Sequence, residues 1–354
     1  MNNNVIISGI QQIGVGVPNV YPARDWYRRF FGFRVKMFDE KAIADIMAPY
    51  MGGQARSRHA VLVVNLQGGG GFEVWQHTGH APNYPKFKIL PGDLGIFCCK
   101  IKSKDIEKSY QALSKYGLEM SPVFTDKNGE KTFLLRDAYN NIFQMVKGDN
   151  WYMDRNFHCG GVYGAMIGTQ DMEKSIDFYK NILGYDVIVS DETGNFEDFA
   201  YLNAPGQFRR VVLTHSQPRT GSFSKIFSDS QIELVQSLDR TDIHKIFEGR
   251  MWGDVGFIQI CFDITNMDTM EKRCQEFGYP FTIDSRKKSG KFDMGEATGH
   301  FAYNEDPSGT LIEYVETEKI PILKKFNIYL NLKKRDRSKP LPDWILHLLK
   351  FMEK

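Results

Sequence analysis

The sequence predicts an α+β protein built from four βαβββ units, followed by a basic, amphipathic C-terminal tail. Three observations carry that prediction. Residues 10–33, IQQIGVGVPNVYPARDWYRRFFGF, align without a gap on residues 162–185, VYGAMIGTQDMEKSIDFYKNILGY. A strand-like opening, a helical stretch and a glycine recur at residues 95–118 and 257–279. The closing segments Asp137–Val146 and Asp306–Val315 also match one another. Repetition on this scale means that one supersecondary unit is used several times.

Taken in order, the first unit spans 1–85. Its opening strand leads into a helix holding Asp25-Trp26-Tyr27, which ends at Gly32, where a left-handed conformation costs little. Strand-like runs Ala60–Leu66 and Phe72–Gln76 follow. The second unit, 86–150, opens at Ile96–Ile101 and has a helix ending at Gly117. The third, 158–240, repeats the first with Asp177-Phe178-Tyr179, Gly184 and the runs Arg210–Thr214 and Gln231–Val235. The fourth, 250–318, opens at Phe257–Ile264 and has a helix ending at Gly278. Gly/Asp/Asn/Pro clusters separate these runs. First resembles third and second resembles fourth, the pattern of a duplicated pair. Gly68–Gly71 reads as a mobile hairpin loop, because no helix with Lys-Ser/Thr follows to complete a phosphate cradle.

Composition narrows the class. The 354 residues are 42% hydrophobic and 25% charged, enough for about two to three domains of core. Lys+Arg (45) nearly balance Asp+Glu (43), so bulk charge does not drive nucleic-acid binding. No apolar run approaches the roughly 18 residues that span a bilayer. Met1 to Ile7 lacks a basic-then-apolar leader. Cys98, Cys99, Cys159, Cys261 and Cys274 form no C-x-x-C pair, which fits reduced thiols and a cytoplasmic location.

The tail, 319–354, holds ten Lys/Arg against Asp336, Asp343 and Glu353. Asp343 is placed to cap a helix over Trp344–Met352. A basic stretch beside an apolar helix suits peripheral contact with an anionic membrane. The same composition suits docking on the chain itself or on a second subunit, and docking is the reading preferred here. Monomer and homodimer both stay open.

A βαβββ unit that closes with Asp306-Pro307-Ser308-Gly309-Thr310-Leu311-Ile312-Glu313 resembles the vicinal oxygen chelate superfamily, which includes glyoxalase I, methylmalonyl-CoA epimerase, extradiol dioxygenases and bleomycin-resistance proteins. The resemblance covers about residues 10–316. It implies two curled-sheet barrels, each formed by two units. It also implies a metal held by one side chain from each first strand and a carboxylate from each last strand. The first-strand ligand is expected seven residues before the Asp/Asn that opens the helix. That places Gln12, Gln259, Gly164 and about Ile96 at first-strand positions, with Glu73, Gln144, Glu233 and Glu313 on last strands.

Pairing units one and four collects Gln12, Glu73, Gln259 and Glu313, all oxygen donors. Units two and three then collect Ile96, Gln144, Gly164 and Glu233, which is no metal site. Pairing three with four is the alternative, and it leaves a gap at Gly164. The first pairing is preferred, since the resemblance also implies that outer units associate in single-chain, four-unit forms.

Glu73 and Glu313 are therefore the expected catalytic carboxylates and metal ligands, with Gln12 and Gln259 completing the set. Each Gln could instead hydrogen-bond the sheet. Two carboxylates and two amides suit Mg²⁺ or Mn²⁺, and would hold Ni²⁺ or Zn²⁺ less tightly; a metal-free cup is the alternative. No first-strand position supplies a His. That argues against a ring-cleaving dioxygenase, which needs Fe(II) on two His and a carboxylate. Trp75 and His77 share a strand face with Glu73, and His300 lies on the strand before Glu313, so all three are candidates to line a substrate site.

The resemblance and this donor set together imply a glyoxalase-like, metal-dependent lyase or isomerase that removes a proton next to a carbonyl of a small oxygenated substrate. The alternative is a metal-free protein that binds or sequesters a small molecule, as in the bleomycin-resistance branch.

Overall fold

The structure, a computed structural model, describes residues 5–126, 129–287, 292–294, 297–323 and 328–353. The first unit contributes β1 (Ile6–Gly16), α1 (Val20–Phe31), β2 (Val35–Ala44), β3 (Arg56–Val64) and β4 (Gly71–His77). The second contributes β5 (Gly95–Ser103), α2 (Ile106–Ser114), β6 (Phe124–Thr125), β7 (Lys131–Arg136) and β8 (Ile142–Lys147). The third contributes β9 (Cys159–Gly168), α3 (Met172–Leu183), β10 (Val187–Gly194), α4 (Glu197–Tyr201), β11 (Phe208–Thr214), α5 (Ser224–Phe227) and β12 (Gln231–Ser237). The fourth contributes β13 (Gly256–Thr265), α6 (Met267–Glu276), β14 (Ile283–Asp284), β15 (Phe292–Met294), β16 (Ala297–Glu305) and β17 (Leu311–Leu323). The tail adds β18 (Ile328–Asn331) and α7 (Asp343–His347).

These strands form two curled half-barrels. One has the order β14-β16-β17-β13-β1-β4-β3-β2, with β15 and β18 attached to β16 and β17. The other has the order β10-β11-β12-β9-β5-β8-β7-β6. Units one and four share the first sheet, and units two and three share the second. At each seam two first strands run antiparallel, β1 against β13 and β5 against β9. Within each unit the first strand lies parallel to the last.

Local sequence explains the helix ends. Asn19 accepts the Tyr21 amide at the start of α1, and Asp171 accepts the Lys174 amide at the start of α3. Both helices end on a glycine in the left-handed region, Gly32 at φ 70° and Gly184 at φ 72°. Strand alternation then sorts the side chains. Ile13, Val15, Phe72 and Val74 enter the large shared core with Tyr27, Phe31 and Phe143. Trp75 faces the other way, into a separate cluster inside the first cup. Core rings meet closely, with Tyr27 and Phe72 centroids 4.9 Å apart and Phe31 and Phe143 5.0 Å apart. Each such ring is worth about 1.5–3 kcal/mol in burial.

Two local expectations are corrected. Gly68–Gly71 is buried rather than mobile. Its backbone exchanges hydrogen bonds with unit three, Gly70 N–H to Val162 O at 2.8 Å and Gly161 N–H to Gly68 O at 2.7 Å. A Cβ on Gly69 would fall 2.8 Å from Gly161, so the glycines permit backbone-to-backbone contact between the two sheets. In the tail, Asp343 does not cap a helix through its side chain. Its carboxylate pairs with Lys225 at 2.7 Å, and α7 gives way to a tighter turn over Leu348–Met352. Leu341, Ile345 and Leu346 pack with Ile226 and Phe227 of unit three. Among the described residues, no helix is long and apolar enough to cross a membrane.

Candidate functional site

Four side chains converge inside the first cup. Gln12 on β1 and Gln259 on β13 are adjacent across the seam, and Glu73 and Glu313 flank them on β4 and β17. Gln12 Nε2 donates to Glu73 Oε2 and to Glu313 Oε2, both at 3.2 Å. Gln259 Nε2 donates to the same two oxygens at 3.2 and 3.4 Å. Gly14 makes the approach feasible: it sits opposite Gln259, and a Cβ there would lie 2.5 Å from the amide.

The surroundings are apolar. Met47, Met51, Trp75, Trp252, Ile258, Phe301 and Val315 pack together around the carboxylates. Glu313 is buried, while Glu73 is half-buried and marks the solvent side. Burial raises the Glu313 pKa to about 8, with the charge of Glu73 as the second cause. Hydrogen bonds from Tyr303, Cys261 and Gln259 only partly offset this. Burial also raises Glu73, opposed by Arg58. Two carboxylates this close cannot both stay charged in a dry cup without a proton or a cation between them.

The second cup shows what happens when that charge is settled internally. Lys100 Nζ pairs with Glu233 at 2.6 Å, and Arg210 pairs with Glu233 at 2.6 Å and with Asp198 at 2.9 Å. Despite burial, Arg210 and Lys100 pull Glu233 down to about 2. The ammonium takes the charge-neutralising place a cation would have. The register also corrects one position. Lys100 lies opposite Gln144 just as Gly14 lies opposite Glu73, so Cys98 rather than Ile96 is the counterpart of Gln12.

The remaining predicted residues divide. Trp75 is fully buried, edge-on to Trp252 with centroids 4.6 Å apart. His77 lies at the end of β4, packed against Trp75 at 4.7 Å, and burial with His80 lowers its pKa to about 4. His300 does not join the cup. Phe301 and Tyr303 take the inward positions on β16, so alternation turns His300 to the opposite face, where Nε2 lies 3.3 Å from Glu318. Tyr303 instead faces the cup from β16 and interacts with Glu313. Trp252 was also missed: its indole N–H donates to Gln259 Oε1 at 3.0 Å and fixes the amide with its NH₂ toward the carboxylates. A cavity of about 410 Å³ lies outside the cup, lined in part by Tyr84, Phe87, Phe97, Arg136 and Tyr139.

Residues 165–303 match the profile of the Glyoxalase/Bleomycin resistance protein/Dioxygenase superfamily. Over that stretch, in units three and four, the chain is similar to the vicinal oxygen chelate superfamily. Among solved structures, glyoxalase I from Zea mays superposes with a TM-score of 0.53 at 12% identity, covering 87% of this chain and 92% of that one. A Bacillus subtilis protein provisionally named a dioxygenase superposes at 0.56 with 14% identity, covering 88% and 86%. At these identities the likeness concerns fold. No curated protein sequence matches the chain.

The vicinal oxygen chelate fold brings an expectation of a divalent cation, and the donor set can be tested against it. Glu73 and Glu313 present oxygens to one point, and Gln12 Oε1 is buried with no hydrogen-bond partner among the described residues. Gln259 Oε1 is occupied by Trp252. Three oxygen donors, two of them anionic, fit a hard divalent cation.

Proposed function

We propose that this chain is a glyoxalase-like lyase or isomerase that moves a proton next to a carbonyl of a small oxygenated substrate. The observation that carries the reading is the meeting of Glu73 and Glu313, from the first and last units, at the same two amide donors. Glu313 would hold the cation together with Glu73 and Gln12. The bound cation would supply Lewis-acid stabilisation of charge developing on the carbonyl oxygen.

The chain's own groups do the rest. Glu313 accepts the substrate proton at Oε2 and returns it to the neighbouring carbon or oxygen. Burial and the charge of Glu73 raise its proton affinity when no cation is bound, which suits a carboxyl that carries a proton. Tyr303 and Cys261 hydrogen-bond Glu313 and hold its carboxyl in one orientation. Trp75, Trp252, Met47 and Met51 give the carboxylates an apolar surround that strengthens their electrostatic interactions.

The test is metal content by mass spectrometry, combined with deuterium uptake from D₂O into small α-hydroxy carbonyl compounds. One ion per chain that is lost in Glu313→Gln, and exchange reduced roughly 10²–10⁴-fold in the same variant, are expected. Full exchange activity in a folded Glu313→Gln chain would sink the mechanism. The cavity beside Tyr84 and Tyr139 favours the second reading, metal-free sequestration of a small aromatic molecule. That reading expects ligand-dependent thermal shifts that chelator leaves unchanged.

A further inference from the structure

A second cluster of ligating groups lies at the rim of the first cup, away from the carboxylates. His77 ends β4, His80 follows in the next loop, and Asp254 precedes β13, so units one and four again meet. One ligand atom from each lies within 4.8 Å of the others, and His77 Nε2 is 3.8 Å from Asp254 Oδ1.

Hydrogen bonding does not account for the cluster. His77 is 3% exposed, yet among the described residues neither of its ring nitrogens has a hydrogen-bond partner of good geometry. His80 Nε2 is also buried and without such a partner. Unpaired buried nitrogens are costly, and a ligand would recover that cost. Asp254, by contrast, is held firmly. Its Oδ1 accepts the Asn83 amide at 2.8 Å, and its Oδ2 accepts Met251 N–H at 2.8 Å and Asn83 Nδ2 at 3.2 Å. Those bonds orient a carboxylate as outer partners orient a metal ligand.

We propose that His77, His80 and Asp254 form a second divalent-cation site, suited to zinc and separate from the Glu73–Glu313 centre. Two imidazoles and one carboxylate are a donor set for a borderline cation, unlike the all-oxygen set in the cup. A tetrahedral zinc ion with bonds of about 2.05 Å places its ligand atoms about 3.3 Å apart, so the observed spacing has to close by an ångström or so. His80 is on a loop and can supply that movement. Asp254 lies two residues after Trp252, whose indole fixes Gln259. Ligation would thus clamp the loop that closes the cup to the end of β4.

The test uses the full chain with Co²⁺ and Zn²⁺ as probes. Glu73→Gln/Glu313→Gln disables the cup centre and leaves the rim cluster intact. This double variant is expected to bind one equivalent of Co²⁺, displaced by Zn²⁺, with visible absorption bands of tetrahedral strength. Adding His80→Ala or Asp254→Asn should weaken binding at least about tenfold. Zinc should also raise the melting temperature of the double variant, but not of the versions lacking His80 or Asp254. No binding to the double variant, or binding that ignores both rim substitutions, would overturn the proposal. Neither result depends on turnover, so failure of the cup reading and failure of this one are distinguishable.

Discussion

The phenol of Tyr27 on α1 donates a 2.7 Å hydrogen bond to Asp137 Oδ2, in the turn before β8. Tyr179 on α3 repeats it with Asp306, in the turn before β17, at 3.0 Å. The tyrosines end the two Asp-aromatic-Tyr matches, and the aspartates open the two matching closing segments. Each bond joins units consecutive in sequence, one to two and three to four. The sheets join one to four and two to three. The two linkages cross, so every unit is held by two different partners.

Tyr179→Phe should therefore destabilise the chain by about 1–3 kcal/mol, since it removes the phenol from a buried Asp306 oxygen. Tyr27→Phe should cost less, because Asp137 Oδ2 also accepts from Asn141 Nδ2 at 2.8 Å. Urea midpoints of both variants against wild type check the order. Equal losses would mean that the two bonds are interchangeable.

The cup carboxylates make the chelated protein sensitive to pH. The folded Glu313 pKa lies near 8, above its unfolded value, so the native state binds that proton more tightly. The stability it contributes is present in full below about pH 4.3 and is lost as pH rises through about 8. In chelator, the melting temperature should fall across that window, and Glu313→Gln should flatten the slope. Adding Mn²⁺ should restore stability at the alkaline end. A slope of the opposite sign would mean that Glu313 is not the group that titrates.

Much of this was legible in the sequence, and the losses have physical causes. Repetition exposed the four units because each copy keeps a strand, a helix and a glycine stop. It also pointed to Glu73 and Glu313, which hold equivalent last-strand positions. Tyr303 was hidden because strand parity between His300 and Tyr303 depends on which face is inward, and only packing decides that. Trp252 and Asp254 sit in a loop outside the repeated elements, so no alignment of units calls them up. Lys100 was obscured by a two-residue uncertainty of register, enough to replace Cys98 with Ile96 as the counterpart of Gln12.

Lys100→Met tests the internal settlement of charge in the second cup. It removes the ammonium from a buried Glu233 and leaves Arg210 shared between two acids. Breaking one side of a buried pair costs about 3–5 kcal/mol, and Arg210 should hold the loss to the lower end. With Glu233 depressed to about 2, the pair contributes stability above about pH 4.3 that is lost as pH falls toward 2. The variant should lie below wild type at pH 7 and converge on it in acid. A constant gap down to pH 2 would assign the loss to packing instead.

Trp252→Phe probes the orientation of Gln259. The indole N–H holds the amide oxygen outward, so the NH₂ faces Glu73 and Glu313 and serves their negative charge when no cation is present. Phenylalanine keeps a ring beside Trp75 but removes that donor. In chelator the variant should lose about 1 kcal/mol, the worth of one hydrogen bond. With a cation present the preference reverses, because an amide turned over offers an oxygen where it previously offered N–H. Mn²⁺ should then bind several-fold more tightly to Trp252→Phe than to wild type in a competition titration. Weaker binding would mean that the cation needs the carboxylates held by both amide N–H groups, and that Gln259 orients them without ever becoming a ligand.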